Sequence, residues 1–198
     1  QAQNVFNEVS YSPRQTTFKL NAPKKPTLRI YEAGRGGNAI KKIKMKQTAE
    51  NVWEATVSGD LKGKFYTFDI GRGETPGVFA KAVGINGHRG AIVDMQTTNP
   101  SGWNSDHRLA LKSPADLIIY EMHHRDFSID PSSGLVNKGK FLALTEQKAI
   151  KHLKELGVNA VHILPSFDFA SIDESNTTTP QYNWGYDPLN YNVPEGSY

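Results

Sequence analysis

The 198-residue chain contains no cysteine. That absence excludes a disulfide framework, a thiolate nucleophile and any zinc site built on sulfur, and it leaves histidine and carboxylates as the only candidate metal ligands. Long apolar runs are missing too. A bilayer span needs roughly 20 apolar residues, and the strongly apolar stretches here are as short as Leu117 to Tyr120, so membrane insertion is not expected. The net charge is only +3, and its lysines, such as Lys24-Lys25, Lys41-Lys42, Lys44 and Lys46, are scattered. A nucleic-acid reader would cluster them on one face among stacking aromatics, so no nucleic-acid partner is expected. The glycine-rich run Gly34 to Gly37 has neither the lysine nor the strand-to-helix setting of a phosphate loop and reads as a turn. The first residue is Gln1 rather than methionine, from which we expect removal of a secretory signal, a tag or a larger N-terminal portion. A secreted, periplasmic or cell-surface setting is favoured over the cytoplasm, with no marker that fixes it.

What is present reads as an ordinary globular composition, 37% hydrophobic and 22% charged. Short β-forming runs at Phe18 and Leu20, Leu28 and Ile30, Val52 to Val57, Phe65 to Ile70 and Ala91 to Met95 are separated by turn residues. This pattern predicts an all-β, immunoglobulin-like sandwich over 16–96, after an N-terminal segment 1–15. Residues 97–115, with Asn99-Pro100-Ser101-Gly102 and Ser113-Pro114, lack periodicity and read as a linker.

Beyond the linker the pattern changes. Leu117 to Tyr120 is a continuous β-forming run. Ala149, Ile150, Leu153 and Leu156 follow helical spacing, with Thr145 as the expected N-cap and Gly157 as the left-handed terminator. Val158 to Leu164 is another strand of buried type, ended by Pro165. Strand, helix and strand in this order form a βαβ unit with parallel strands, and a parallel sheet needs both faces covered. Residues 116–198 are far fewer than the roughly 250 of a closed (β/α)8 barrel. We therefore expect a piece of a longer polypeptide, or a second chain that completes the barrel.

Four segments carry a family resemblance: "FAKAVGINGHRGAIVDMQTTNPSGW" (Phe79 to Trp103), "IIYEMHHRDFSID" (Ile118 to Asp130), "HLKELGVNAVHILPSFDF" (His152 to Phe169) and "YNWGYDPLNYNVPEGSY" (Tyr182 to Tyr198). Together they resemble the type I pullulanases, debranching members of the α-amylase superfamily (glycoside hydrolase family thirteen). The sandwich resembles a carbohydrate-binding module of family forty-eight. The resemblance implies that 116–198 is the start of an α-amylase-type TIM barrel, with strand one at Ile118 to Phe127, the first helix at Thr145 to Leu156, strand two at Val158 to Leu164 and a loop after it. Loops at the C-terminal ends of barrel strands build the active-site face, so "YNWGYDP" is expected at the substrate. Sugar rings offer a flat C–H face to aromatic rings, and Tyr and Trp combine that area with a polar handle. By the resemblance, Tyr186 matches the tyrosine platform at the cleavage site, and Trp184, Asp187 and Tyr182 accompany it as candidate substrate-binding residues. The plainer role for Tyr182, Trp184 and Tyr191 is packing the base of the loop.

Retaining glycosidases of this superfamily use an aspartate nucleophile and a glutamate acid/base roughly 5 to 5.5 Å apart, and the resemblance puts both on later strands, outside this chain. No catalytic residue or metal ligand is assigned here. Glu121, Asp126, Asp168 and Asp173 read as scaffold or loop carboxylates. His123 and His124 are neighbours on the expected strand and point to opposite faces, so they cannot chelate one ion; His124 should need a hydrogen-bond partner, and His162 reads as a satisfied interior histidine. Trp53 reads as sandwich core, with glucan stacking by Trp53, Tyr66 and Phe68 as the alternative. The expected function is the N-terminal part of an enzyme hydrolysing α-1,6-glucosidic bonds in pullulan, starch or glycogen-type glucans, inactive as an isolated chain. The rivals are a non-catalytic α-glucan-binding module and another branching or debranching activity of the superfamily. No cofactor is required by this reading, and calcium is the one ion left open.

Overall fold

A computed structural model describes residues 7–107 and 110–198. The first six residues of the N-terminal segment and positions 108–109 of the expected linker lie outside the described residues. Strands β1 (Val9–Tyr11), β2 (Gln15–Asn21), β3 (Thr27–Tyr31), β4 (Lys41–Lys44), β5 (Lys46–Ala49), β6 (Val52–Ser58), β7 (Phe65–Asp69), β8 (Glu74–Thr75) and β9 (Gly90–Ala91) form two antiparallel sheets. One has the order β1-β2-β6-β5; the other runs β4-β3-β7-β8, with β9 also on β7. Alternation sets which side chains meet between them. Phe18 and Leu20 of β2 and Ala55 and Val57 of β6 face Leu28 and Ile30 of β3 and Tyr66 and Phe68 of β7 in one buried cluster. Phe18, Tyr66 and Phe68 pack as tilted or edge-on pairs with centroids 5.3 to 6.4 Å apart.

This agrees with the sandwich read from the sequence, including Trp53, which packs against the core while its indole N–H donates to the Ala22 carbonyl at 2.9 Å. The expected strand at Ala91 to Met95 is corrected: β9 ends at Ala91, and Met95–Thr98 is a 3-10 turn whose first amides fold onto Asp94. Strands β4 and β5 escaped the apolar pattern because they are lysine-bearing and largely exposed, as sheet edges commonly are. The Gly34 to Gly37 run is a turn, with Arg89 donating to the carbonyls of Ala33 and Gly36.

The second region contains β10 (Ile119–Met122), α1 (Gln147–Glu155) and β11 (Ala160–Ile163), and β10 and β11 pair in parallel with Ile119 opposite Ala160. The βαβ reading therefore holds, with shorter elements than expected; a barrel is not shown by these residues. Gly157 ends the helix at φ +75°. Thr145 is not the N-cap: it closes the 3-10 turn Phe141–Thr145, and its hydroxyl donates to the Leu142 carbonyl. Glu146 takes the cap position and turns its carboxylate back to the amides of Val136 and Asn137. Ala149 of α1 packs with Ala143 and Leu135.

The strand pair itself is uncovered. Ile119 is 60% exposed, and Val161 and Ile163 are also exposed, as expected of a strand of buried type in a parallel pair with too few strands to cover both its faces. His162, expected inside, is exposed and sits 3.1 Å from Glu121. Past Pro165, the expected loop contains a hairpin: β12 (Phe167–Phe169) pairs antiparallel with β13 (Pro188–Pro194) through an irregular register. Among the described residues no helix is long and apolar enough to cross a membrane.

Candidate glucan-facing site

The hairpin carries the aromatic segment. Between β12 and β13 the chain makes a long excursion, closed where the Ala170 amide donates to the Asp187 carbonyl at 3.0 Å. Inside it, buried Asn183 is the pin. Its side-chain amide donates to Ser171 Oγ at 2.5 Å and to Asp187 Oδ1 at 2.6 Å, and its Oδ1 accepts the Gly185 amide, a turn that Asn forms readily two residues before glycine. Gly185 holds φ +88°, and a Cβ there would overlap the Pro165 carbonyl. Only glycine fits this crossing of the β12 approach.

A pinned backbone with a buried Asn and a left-handed Gly sends the flanking rings outward. Tyr182, Trp184, Tyr186 and Tyr191 are 58 to 68% exposed, so the expectation that Tyr182, Trp184 and Tyr191 pack the loop's base is corrected. Tyr182 and Trp184 contact edge-on at 6.2 Å, and the Arg125 guanidinium lies 4.9 Å from the Tyr182 ring centre. Tyr182 and Arg125 also border a cleft of about 470 Å³ floored by Phe169, Ile172 and Tyr198. Asp187 is engaged as an anchor. Burial opposes its charge, but hydrogen bonds from Ser171 and Asn183 win and hold its carboxyl below the usual range.

The strand end of the βαβ unit buttresses this loop. The strand stops at Met122 and a turn follows, so the opposite-face argument for His123 and His124 does not apply; both rings are buried. His123 Nδ1 faces the amides of Arg125 and Asp126, which assigns the ring proton to Nε2, 2.8 Å from the Asn183 carbonyl oxygen. His124 packs on Phe141 and Tyr198, and neither nitrogen has a hydrogen-bond partner among the described residues, against the expectation of one. Burial pushes its pKa down, and burial pushes the Tyr198 hydroxyl up to about 12.

The opposite side of the hairpin holds three carboxylates. Asp168, Glu174 and Glu195 each place an oxygen within 4.8 Å of the others. Asp168 and Glu195 are buried, and Asp168 Oδ1 accepts no hydrogen bond among the described residues. Burial raises the pKa of both Asp168 and Glu174, and neighbouring acids of the trio add to it. Gly87, at φ +71°, lies against this group; a Cβ there would overlap Asp168 and Asn190. An all-oxygen, multiply charged donor set of this kind suits a hard divalent cation such as calcium, the ion left open by the sequence.

No family model matches the chain. A Bacillus subtilis pullulanase is 37% identical over 95% of this chain, which corresponds to 27% of that protein. A Paenibacillus barengoltzii pullulanase, crystallised with maltohexaose and α-cyclodextrin, superposes with a TM-score of 0.90 at 43% identity over 96% of this chain and 32% of its own. This chain is a homologue of the pullulanases. The likeness extends to a rice chloroplastic isoamylase, 39% identical over 51% of the chain and 13% of that protein. The homologue thus spans about a quarter to a third of the pullulanases it matches, as an N-terminal portion.

Sequence reasoning had singled out Tyr182, Trp184, Tyr186 and Asp187, and the structure keeps all four on one short segment. It missed Asn183, Ser171 and Gly185 as the parts that aim them. The Asn-Trp-Gly spacing was the available signal. It also passed over the carboxylate trio, whose members share no motif spacing.

Proposed function

We propose that this chain is the N-terminal part of a retaining, pullulanase-type glycosidase that hydrolyses α-1,6-glucosidic bonds in pullulan, starch or glycogen-type glucans. The sandwich, expected over 16–96 and extended back to Val9 by the pairing of β1 with β2, is then a module of the family-forty-eight type, with 97–115 a linker and 116–198 the start of a (β/α)8 barrel that further strands complete. The observation that carries this reading is the row of outward-facing rings held by Asn183 and Gly185, in a chain homologous to pullulanases over nearly its whole length.

In this assignment the residues here bind and orient. Tyr186 offers an unencumbered ring face for one glucosyl unit, and the Tyr182–Trp184 pair extends the platform. Asp187 fixes the loop through Asn183 and Ser171. The nucleophile and acid/base lie outside the chain. The exposed apolar strands β10 and β11 supply the surface on which the remaining barrel, in the same polypeptide or a second one, would pack.

The test is pullulan hydrolysis by the chain alone and after the missing C-terminal remainder is joined or added. We expect no turnover alone and restored turnover with the remainder; turnover by the isolated chain would refute the placement of the carboxylates. Within the restored enzyme, Tyr186→Ala should weaken glucan use by about 1–3 kcal/mol, the scale of one lost stacking ring. Maltooligosaccharide binding that survives Tyr186→Ala but is lost in Trp53→Ala would favour a non-catalytic binding module instead.

A further inference from the structure

We propose that His124 is an acid switch for the aromatic loop: its neutral ring completes the packing at the end of β10, and protonation expels the ring and releases the loop. His124 is 3% exposed, although it stands only two residues past the strand. Its ring centroid lies 4.6 Å from that of Phe141 and 5.4 Å from that of Tyr198; these two pack on each other at 5.6 Å, and Phe169 closes on Tyr198 at 5.7 Å. Four parts of the chain thus meet around one imidazole: the end of β10, the 3-10 turn Phe141–Thr145, β12 and the segment after β13.

These surroundings do not support a cation. Among the described residues neither ring nitrogen has a hydrogen-bond partner, nor has the buried hydroxyl of Tyr198, and no carboxylate forms an ion pair with His124. The charged groups of the packed elements are engaged elsewhere. Asp126 pairs with Arg125 at 2.9 Å, and the Lys140 ammonium donates to the Ser197 carbonyl at 2.5 Å. Glu195 accepts the amides of Phe169 and Ser197, and Asp168 accepts from Asn190. A buried charge without a partner is neutralised or driven into water. Burial accordingly pushes His124 below its ordinary value of 6.5; the Lys140 backbone offsets part of this, and His123 adds to it.

The proton therefore binds the open arrangement more tightly than the closed one. Stabilisation by the neutral ring is complete above 6.5 and is lost as pH falls from there through the lower folded value. Expulsion of the ring reaches the loop through its neighbours on the same turn. His123 Nε2 lies 2.8 Å from the Asn183 carbonyl oxygen, and Arg125 donates to the Gln181 carbonyl at 3.4 Å. Both bonds end on the segment that carries Tyr182 and Trp184. The acids of the hairpin act with the opposite sign: burial raises Asp168 and Glu174, so their protonation tightens the fold and does not produce a loosening. With the loop facing a glucan, a reading that rests on the proposed function, acid would scatter the ring platform.

The test is hydrogen exchange of the 198-residue chain at about pH 7.5 and about pH 5, corrected for the intrinsic pH dependence of exchange, together with an NMR titration of the His124 ring. We expect amides over 123–127 and 181–187 to open roughly tenfold or more often in acid, while those of β2, β6 and β7 keep their protection. The His124 ring should titrate below 6.5. His124→Phe keeps an aromatic ring in the same packing without a titrating group and should abolish the acid response. His124→Gln, smaller and neutral, should open the loop alike at both pH values. Equal protection of the native loop at both pH values, the same acid response in His124→Phe, or a His124 ring that titrates at 6.5 or above overturns the proposal. Should both variants fail to fold, the native exchange and ring titration decide it. No readout uses a glucan, so failure here is distinct from failure of the proposed activity.

Discussion

Replacing Asn183 with alanine should loosen the aromatic loop without disturbing the sandwich. The side chain makes three bonds: to Ser171 Oγ at 2.5 Å, to the Asp187 carboxylate at 2.6 Å, and from the Gly185 amide. Neutral hydrogen bonds contribute about 0.5–1.5 kcal/mol each and those to charged groups about 1.5–3 kcal/mol. The three share one loop and are not additive, so we expect a loss of about 2–4 kcal/mol rather than the full sum. Residual cost arises because the Gly185 amide and the Asp187 carboxylate stay in place with fewer partners. Hydrogen exchange resolves the loop directly: amides over 170–187 should exchange roughly thirtyfold faster or more, at 1.4 kcal/mol per factor of ten, while those of β2, β6 and β7 keep their protection. An Asn183→Asp variant retains the acceptor for Gly185 but faces Asp187 with a second negative charge, so its defect should ease on acidification. Unchanged exchange over 170–187 in Asn183→Ala would refute the claim that this residue holds the rings outward.

Two further perturbations test the frame around the site. Glu146 accepts amides from Val136 and Asn137, and the Asn137 bond first, then that of Val136, holds its carboxyl below the ordinary value of 4.5. Its stabilisation is therefore complete above that value and is lost as pH falls through the lower folded pKa; the gap in urea midpoint between native and Glu146→Gln should be widest near neutral pH and close in acid, and a pH-independent gap would count against it. Phe18→Ala removes a ring that is fully buried between both sheets and should cost about 3–5 kcal/mol in denaturant unfolding of the sandwich; a cost below about 1 kcal/mol would show that the two sheets do not share this core.

The sandwich and the βαβ unit were legible because their burial follows a simple period. Phe18 and Leu20, or Ala149 with its helical neighbours, reveal the element by spacing alone, and Gly157 marks its end. The hairpin was not legible for a physical reason. Its strands are separated by an excursion of residues 170–187, its register shifts twice, and proline stands at both ends of β13. Such strands are specified by long-range pairing rather than local pattern. Exposure of the rings misled in the same way. Aromatic residues are usually buried, but an Asn turn followed by a left-handed glycine turned Tyr182 and Trp184 outward, and neither effect enters a count of apolar residues. For His123 and His124 the error lay in running the strand on to Phe127, when it ends at Met122; once the chain turns there, alternation no longer says where a side chain points.

These two kinds of failure meet at the hairpin, and that has a mechanistic consequence. The aromatic loop is braced from two directions by residues far away in sequence. His123, at the end of β10, binds the Asn183 carbonyl. On the other side Asn86 binds Glu174 and Asp173, and Asn190 donates to the Gly87 carbonyl at 3.0 Å. A ring platform must be placed to a fraction of an ångström to favour one sugar geometry over another, and side chains on a long loop do not hold such a position by local contacts alone. Bracing by both the strand end and the sandwich-side turn supplies that rigidity. The sandwich therefore does more than precede the loop in sequence: its turn at Ile85–Gly87 is part of the structure that holds the aromatic loop in place.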